Sequence, residues 1–451
     1  MSAASIAPLV AMGLAAVAAM LLAPSAHAAA ARAVAALGLA VATGFVVLRF
    51  GAPERLATEL LADDPLARFG IALTGLSALA ALAITRIGAS AREVPALIAI
   101  AALGGALVCG ARHSGALFLG LEVMGLSLVA LFAFPLTQRA LEAAYKYFIL
   151  GAAGAAALLF GVAILYAAAG GLAFTDWRSS ADGLFALGAA LLLAGLAFKF
   201  ALAPFHMWGP DVFEGASPSA VVIAGVTAKV AVAVALVRLA QETGGASLQA
   251  GLAGLGAASI LVGNLFALRQ TSLARMLGYS SIAHSGYVAA ILGAGGTEAG
   301  AAALFYVASY APALTAALII LTLEGGDVRL ENVRGLFRRR PLEGAAFALG
   351  VISLAGLPPA VGFIGKLYLF SALIEAEAWR LLAVAAVGSG LGVYYYARFF
   401  GAPFLPCKEA PSTPQAAPRR HAGLAITCLF LVAVLGVYPM PLLEAAVFAT
   451  R

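Results

Sequence analysis

Apolar and polar positions alternate along this chain on the length scale of a lipid bilayer. Fourteen mainly apolar runs lie at 3–23, 29–49, 68–88, 95–111, 114–134, 144–168, 183–207, 218–240, 248–268, 274–294, 300–323, 345–373, 379–400 and 422–441. A hydrocarbon core about 30 Å thick requires about 20 apolar residues of helix. The run at 95–111 is short, and those near 200 and 360 contain proline. The pattern predicts an all-α polytopic membrane protein with about fourteen transmembrane helices. Ser25-Ala26-His27-Ala28 resembles a signal-peptide cleavage site, but no basic residue precedes the first run. A signal peptide has a basic start, so a retained helix is expected.

Composition sharpens this picture. The 451 residues are 63% hydrophobic and 11% charged, with mean hydropathy +1.01. A soluble domain carries about 25% charged residues, so a water-soluble enzyme with one core is excluded. Disorder is excluded too, since it needs low hydrophobicity and high charge. Glycine (50 residues) and alanine dominate the runs, which suits close helix packing in lipid. Cys109, Cys407 and Cys428 lie far apart and outside any Cys/His cluster, which argues against disulfide, zinc or iron–sulfur frameworks. No phosphate-binding loop or dinucleotide fingerprint is present. No redox centre or nucleotide site is therefore expected in this chain.

The net charge of +6 reflects loop arginines. With the N-terminus outside, fifteen Lys/Arg fall in cytoplasmic connections, among them Arg32, Arg86, Arg139, Arg275, Arg340, Lys408 and Arg420. Eight fall outside: Arg49, Arg55, Arg68, Arg112, Arg178, Arg238, Arg380 and Arg451. This asymmetry obeys the positive-inside rule.

The lysines behave differently. Four of the five, Lys146, Lys199, Lys229 and Lys366, lie in apolar runs. Arginine stays charged at any accessible pH, whereas buried lysine gives up its proton readily. Ionisable groups within the membrane are functional candidates. Lys146 has plainer readings, as a partner of Glu142 one turn away or as a side chain snorkelling to the surface. Glu122, in LFLGLEVMGLSLV, is the one acid well inside an apolar run. A lysine from a neighbouring helix would hold it charged, and a Glu122–Lys199 pair is the expectation.

Pro204, in KFALAPFHMW, cannot donate to the carbonyl of Phe200, so that helix should open near mid-membrane. Pro358 and Pro359, in LAGLPPAVGFIGK, should do the same before Lys366. Broken helices in both halves of a chain mark repeat-built transporters with midplane ion sites. His206 and His284, near these elements, are candidate relays or satisfied core residues. The stretch 402–421 reads as a polar, Pro-rich loop.

The stretches LFLGLEVMGLSLVALFAF, KYFILGAAGAAALLFGVAILY, GLAFKFALAPFHMWGPDVFEGASP, NLFALRQTSLARMLGYSSIAHSGYV and SLAGLPPAVGFIGKLYLFSALIEA resemble subunit N of bacterial NADH–quinone oxidoreductase, respiratory complex I. The resemblance runs from about residue 95 to 400, with the earlier residues matching in hydropathy only. It departs at Ser217, where the family usually has a proline-bearing stretch. It implies two inverted five-helix repeats, at 95–240 (helices 4–8) and 241–400 (helices 9–13). Helices 1–3 (1–94) would precede them, and a cytoplasmic loop with helix 14 (401–451) would follow. It also implies a proton-translocating subunit without cofactors, with NADH, FMN, iron–sulfur clusters and quinone in partner subunits. Those partners would be antiporter-like M-type and small K, J and A-type membrane-arm subunits of the cell inner membrane. By motif position Glu122, Lys199, Lys229 and Lys366 take the proton-transfer positions, and Lys146, His206 and His284 the lesser polar-axis positions. Two rival readings remain: a cation/proton antiporter or membrane-bound hydrogenase subunit using the same lysines, or a structural subunit that only clamps its neighbours.

Overall fold

In hydrocarbon every backbone N–H and C=O needs an internal partner, so apolar runs of bilayer length become helices. The computed structural model describes residues 3–24, 28–86, 91–179, 183–243, 246–325, 328–406 and 419–451. Ser25–His27, most of the Pro-rich loop, and Cys407 and Lys408 lie outside the described residues.

The chain begins with α1 (Ala3–Leu22) and α2 (Ala28–Leu48), then a two-stranded hairpin of β1 (Arg55–Leu56) and β2 (Ala62–Asp63). Next come α3 (Pro65–Ile84), α4 (Val94–Gly110), α5 (Ser114–Ala133), α6 (Gln138–Ala169) and α7 (Gly183–Phe200). The short α8 (Trp208–Gly215) leads into α9 (Pro218–Val222), a π-helical turn at Ile223–Thr227, and α10 (Ala228–Thr243). Then follow α11 (Ala246–Ala267), α12 (Leu273–Ala294), α13 (Ala299–Glu324) and the short α14 (Leu336–Arg339). The last five are α15 (Pro341–Ala355), α16 (Val361–Glu375), α17 (Trp379–Gly401), α18 (Arg419–Val437) and α19 (Met440–Thr450).

Each of the fourteen expected runs falls on a helix or a broken helix. Among the described residues, ten helices are long and apolar enough to cross a bilayer. The others are the 17-residue α4, the more polar α12 and α17, and the α15–α16 pair interrupted after Ala355. Some boundaries differ from expectation. Helix α6 starts at Gln138 rather than near 144, because Thr137 caps it by accepting from Ala140 N–H at 3.2 Å. Hydropathy detects only the part of a helix that lies in lipid, and the first turns of α6 are polar. The run 183–207 stops being helical at Phe200, and the last run ends at Val437, with α19 as a separate helix.

The continuous span from α9 to α10 lies at the centre, enclosed on all sides by other helices. Helix α13 is nearly as enclosed, whereas α1, α2, α6 and α18 are peripheral. Neighbouring helices approach through glycine. A Cβ at Gly286 of α12 would meet the Ile260 backbone of α11 at 2.7 Å, and one at Gly161 of α6 the Leu192 backbone of α7 at 2.5 Å. These separations leave room only for hydrogen.

At one end of the bundle the arginines expected outside meet the hairpin acids. Arg238 grips Asp64 with two hydrogen bonds, of 2.7 and 2.9 Å. Arg68 bonds Asp63 at 2.7 Å, Arg49 pairs with Asp63 at 3.1 Å, and Arg112 pairs with Glu242 at 3.2 Å. Burial raises the Asp64 carboxyl pKa, but hydrogen bonds and charge from Arg238 and the Ala67 N–H outweigh it, leaving it below the usual 3.8. Its contribution is therefore full above that value and lost as pH falls through the lower folded value. We expect Asp64→Asn, which strands the buried Arg238 charge, to cost about 3 kcal/mol. Thermal unfolding of the purified protein in detergent reads this at neutral pH, and the gap between variant and parent should close under strong acid. An equal midpoint at neutral pH would show that the pair adds no stability.

Candidate functional site

The first break follows the proline chemistry. After Phe200 the chain leaves the helix, with Ala201 in the left-handed region at φ 58°. The freed backbone groups find new partners, as buried groups must. Leu202 N–H bonds Ala197 O at 2.8 Å, and Ala203 N–H bonds Ser259 Oγ at 2.8 Å. The Trp208 indole bonds Phe198 O at 3.0 Å. Lys199 thus sits in the last turn of a half-helix, where the carbonyl end of the dipole favours a cation.

Lys199 is buried, and its Nζ lies 3.5 Å from Glu122 Oε1 and 3.4 Å from Leu121 O. The Tyr147 and Phe198 rings lie 5.7 and 5.9 Å from it, within cation–π range. A side chain at Gly125 would overlap Nζ, so only glycine leaves the amine this seat. At 3.5 Å and an effective dielectric near 20, the charge pair is worth at most about 5 kcal/mol. The expected Glu122–Lys199 pair is present.

Lys229 lies on the enclosed α10, two residues past the π segment. Its Nζ donates to Ser281 O and Ser285 Oγ, both at 2.5 Å. The Phe200 and Tyr310 rings lie 5.9 Å away. No carboxylate ion-pairs with it among the described residues.

The second break separates α15 from α16. Gly356, at φ 75°, ends α15, and Leu357 N–H reaches back to Ile352 O at 3.1 Å. Lys366 follows on α16 and donates to Ala355 O at 2.6 Å and to Ser389 Oγ at 2.9 Å. It thus caps a carbonyl left unpaired by the end of the half-helix. Its stem lies against Gly356, where a Cβ would collide with it.

His284 connects these elements. It is one residue from Ser285 on α12, and its Nδ1 lies 2.9 Å from the Tyr306 hydroxyl. Its Nε2 lies 3.2 Å from the Tyr396 hydroxyl, which shares a short hydrogen bond with Ser280. Two cavities of about 10 Å³, each the size of one water position, meet at His284 and Tyr306. One is also lined by Lys229 and Ser285, the other by Ser353 and Gly362 at the second break. Tyr287, from the same helix as His284, lies 5.8 Å from the Lys366 amine.

The remaining candidates lie elsewhere. Lys146 is 41% exposed and pairs with Glu142 at 2.6 Å and Asp211 at 2.7 Å. The plainer sequence reading, a partner of Glu142, describes its contacts. Arg275 joins the group through Asp211 and Glu214, both at 2.9 Å. His206 sits on the first break with Nδ1 buried and unpartnered, and among the described residues it bonds none of the lysines. Sequence reasoning missed Asp211 and Glu214, although both lie in the quoted PDVFEG stretch. It also missed Tyr306, Tyr396, Ser285 and Gly125, which carry no special signal in a single sequence.

Comparison with known proteins agrees with this geometry. Residues 111–392 match a family model described as NADH:quinone oxidoreductase/Mrp antiporter, TM. NADH-quinone oxidoreductase subunit N of Rhodopseudomonas palustris (strain BisA53) is 52% identical, over 98% of this chain and 97% of that protein. A chain in the structure of respiratory complex I from Thermus thermophilus with bound aureothin is 37% identical, with TM-score 0.88 over 97% of this chain and 98% of that one. A chain of the Mrp complex from Dietzia sp. DQ12-45-1b has TM-score 0.89 at 20% identity, over 100% of this chain and 97% of that one, and so shares the fold. The likeness extends beyond residues 95–400 into the N-terminal helices, where the sequence reading found matching hydropathy only. Identity sustained over nearly the whole length places the chain in the NADH-quinone oxidoreductase subunit N family.

Proposed function

We propose that this chain moves protons across the membrane as a non-redox subunit of NADH:quinone oxidoreductase, along Glu122, Lys199, Lys229 and Lys366. The observation that carries the reading is three lysines buried within the apolar helix bundle, each beside a helix break or a π-turn. A buried lysine can exist with or without its proton, unlike arginine. Glu122 holds Lys199 charged. Weakening that pair moves the proton toward Lys229, and His284 with its tyrosines passes it toward Lys366. Lys146 and His206 take supporting places near the entry side, beside the break at Pro204. The break at Pro358 and Pro359 frees the carbonyl that receives Lys366. We assign the two working halves to 95–240 and 241–400, with 1–94 as a flank and 401–451 as the closing helices. The N-terminus faces the periplasm of the cell inner membrane, as the arginine distribution requires.

The redox cofactors, NADH, FMN, iron–sulfur clusters and quinone, belong to other subunits. The partners are membrane-arm subunits of the M, K, J and A types. Two features of the isolated chain support such neighbours. Glu122 is 30% exposed, on a stripe with Leu119 and Leu126. Pro204, Phe205 and Met207, in the non-helical segment between α7 and α8, are exposed as well. Lipid tolerates neither, so protein covers both.

Lys199→Ala or Glu122→Ala in the assembled complex should lower the protons pumped per electron while NADH oxidation persists. A parental ratio in either variant would end that residue's assignment. Gly125→Ala should act like Glu122→Ala by pushing the amine off its seat. A loss of about 1.4 kcal/mol from the pair gives about a tenfold change in the Lys199 protonation equilibrium. Gly390→Ala, which meets nothing within 4 Å, is the control and should pump normally. Equal pumping by both glycine variants would refute the seat.

A further inference from the structure

A second cationic cluster lies away from the lysine row. It forms where α2 and α18 begin, α3 ends and α15 begins, and comprises Arg32, Arg86, Arg340, Arg420 and His421. His421 is 1% exposed, and neither ring nitrogen has a hydrogen-bond partner. Arg420 Nε is buried without a partner as well. Arg420, Arg86 and Arg340 are close enough to act electrostatically on the His421 ring, and Arg32 and Arg86 on Arg420. Among the described residues, none of these four arginines forms an ion pair with an acidic side chain. Arg86 makes one long bond, 3.5 Å, to Leu323 O. It also lines an open cavity of about 800 Å³ with Thr85, Arg139 and Thr322, so the cluster borders free space.

Clustered like charges around an orphaned imidazole repel one another and leave donors unused. The outer-end network described above pairs its arginines with carboxylates, and this one does not. One anion with several oxygens would offset the clustered charge and take up free donors: guanidinium forks bind phosphate bidentately, and an imidazole N–H adds a donor. Arg32, Arg86 and Arg420 lie near the ends of apolar helices long enough to cross a bilayer, and Arg340 at the start of the shorter apolar α15, which suits the level of lipid headgroups. We propose that the cluster binds the phosphate of an anionic phospholipid, seated between the ends of α2, α3, α15 and α18.

The test uses the assembled complex, stripped with detergent and returned to nanodiscs of phosphatidylglycerol or phosphatidylcholine. Native mass spectrometry should find one phosphatidylglycerol fewer per complex in Arg86→Gln and Arg420→Gln than in the parent, while Arg420→Lys keeps it. Millimolar inorganic phosphate should not displace it. Equal lipid retention by parent and glutamine variants would overturn the site. Displacement by inorganic phosphate would overturn the lipid as its ligand, and so would a neighbouring subunit's carboxylate found in the cluster. Should the glutamine variants fail to assemble, the parental complex itself decides. Its thermal midpoint should rise with phosphatidylglycerol and stay level with inorganic phosphate alone, and no rise with the lipid would overturn the proposal.

Discussion

The cost of holding charge where water is scarce governs this molecule. An isolated ion in an apolar medium is so unfavourable that it is paired, solvated by dipoles or neutralised. The chain uses each remedy in a different place. At the hairpin end of the bundle, arginines and acids neutralise one another, Arg238 gripping Asp64 with two hydrogen bonds. In the interior, Lys229 and Lys366 meet only neutral oxygens and ring faces, whereas Lys199 has a carboxylate. The lysine sites therefore differ in kind, each amine having its own set of partners.

Backbone geometry supplies much of this environment. Breaking a helix inside the membrane frees carbonyls and ends a dipole, and a lysine stands at each such end. Lys199 lies in the last turn before one break, and Lys366 reaches back across the other to Ala355 O. Glycine makes room in both places, at Gly125 beneath one amine and at Gly356 against the other stem. The absence of a side chain is thus as specific a requirement as the presence of the lysine.

Much of this was legible in the sequence, for physical reasons. Lipid forces bilayer-length apolar runs into helices, so hydropathy located the spans. Charge is rare in such runs, so Glu122 and the lysines stood out, and proline marked both breaks. What stayed hidden depends on packing. Ser281 O and Ala355 O are backbone atoms that receive a lysine only when another helix brings one to them. Tyr306 and Tyr396 come from α13 and α17 and meet at His284 through tertiary contact. The helix of Lys146 begins earlier than its hydropathy suggests, at the cap supplied by Thr137, and Asp211, which no pattern in the sequence marked, pairs with the amine. The Asp63–Asp64 pair sits in a short connection whose partners, Arg49, Arg68 and Arg238, come from three different segments.

The enclosure of α10 has a consequence for flux. Lys229 has neither lipid nor open water beside it, so whatever it gains or loses passes through the groups on its two flanks. On the proposed route the lysines would therefore stand in series, with no bypass around the middle one. A fault at any single link then stops the whole current instead of dividing it.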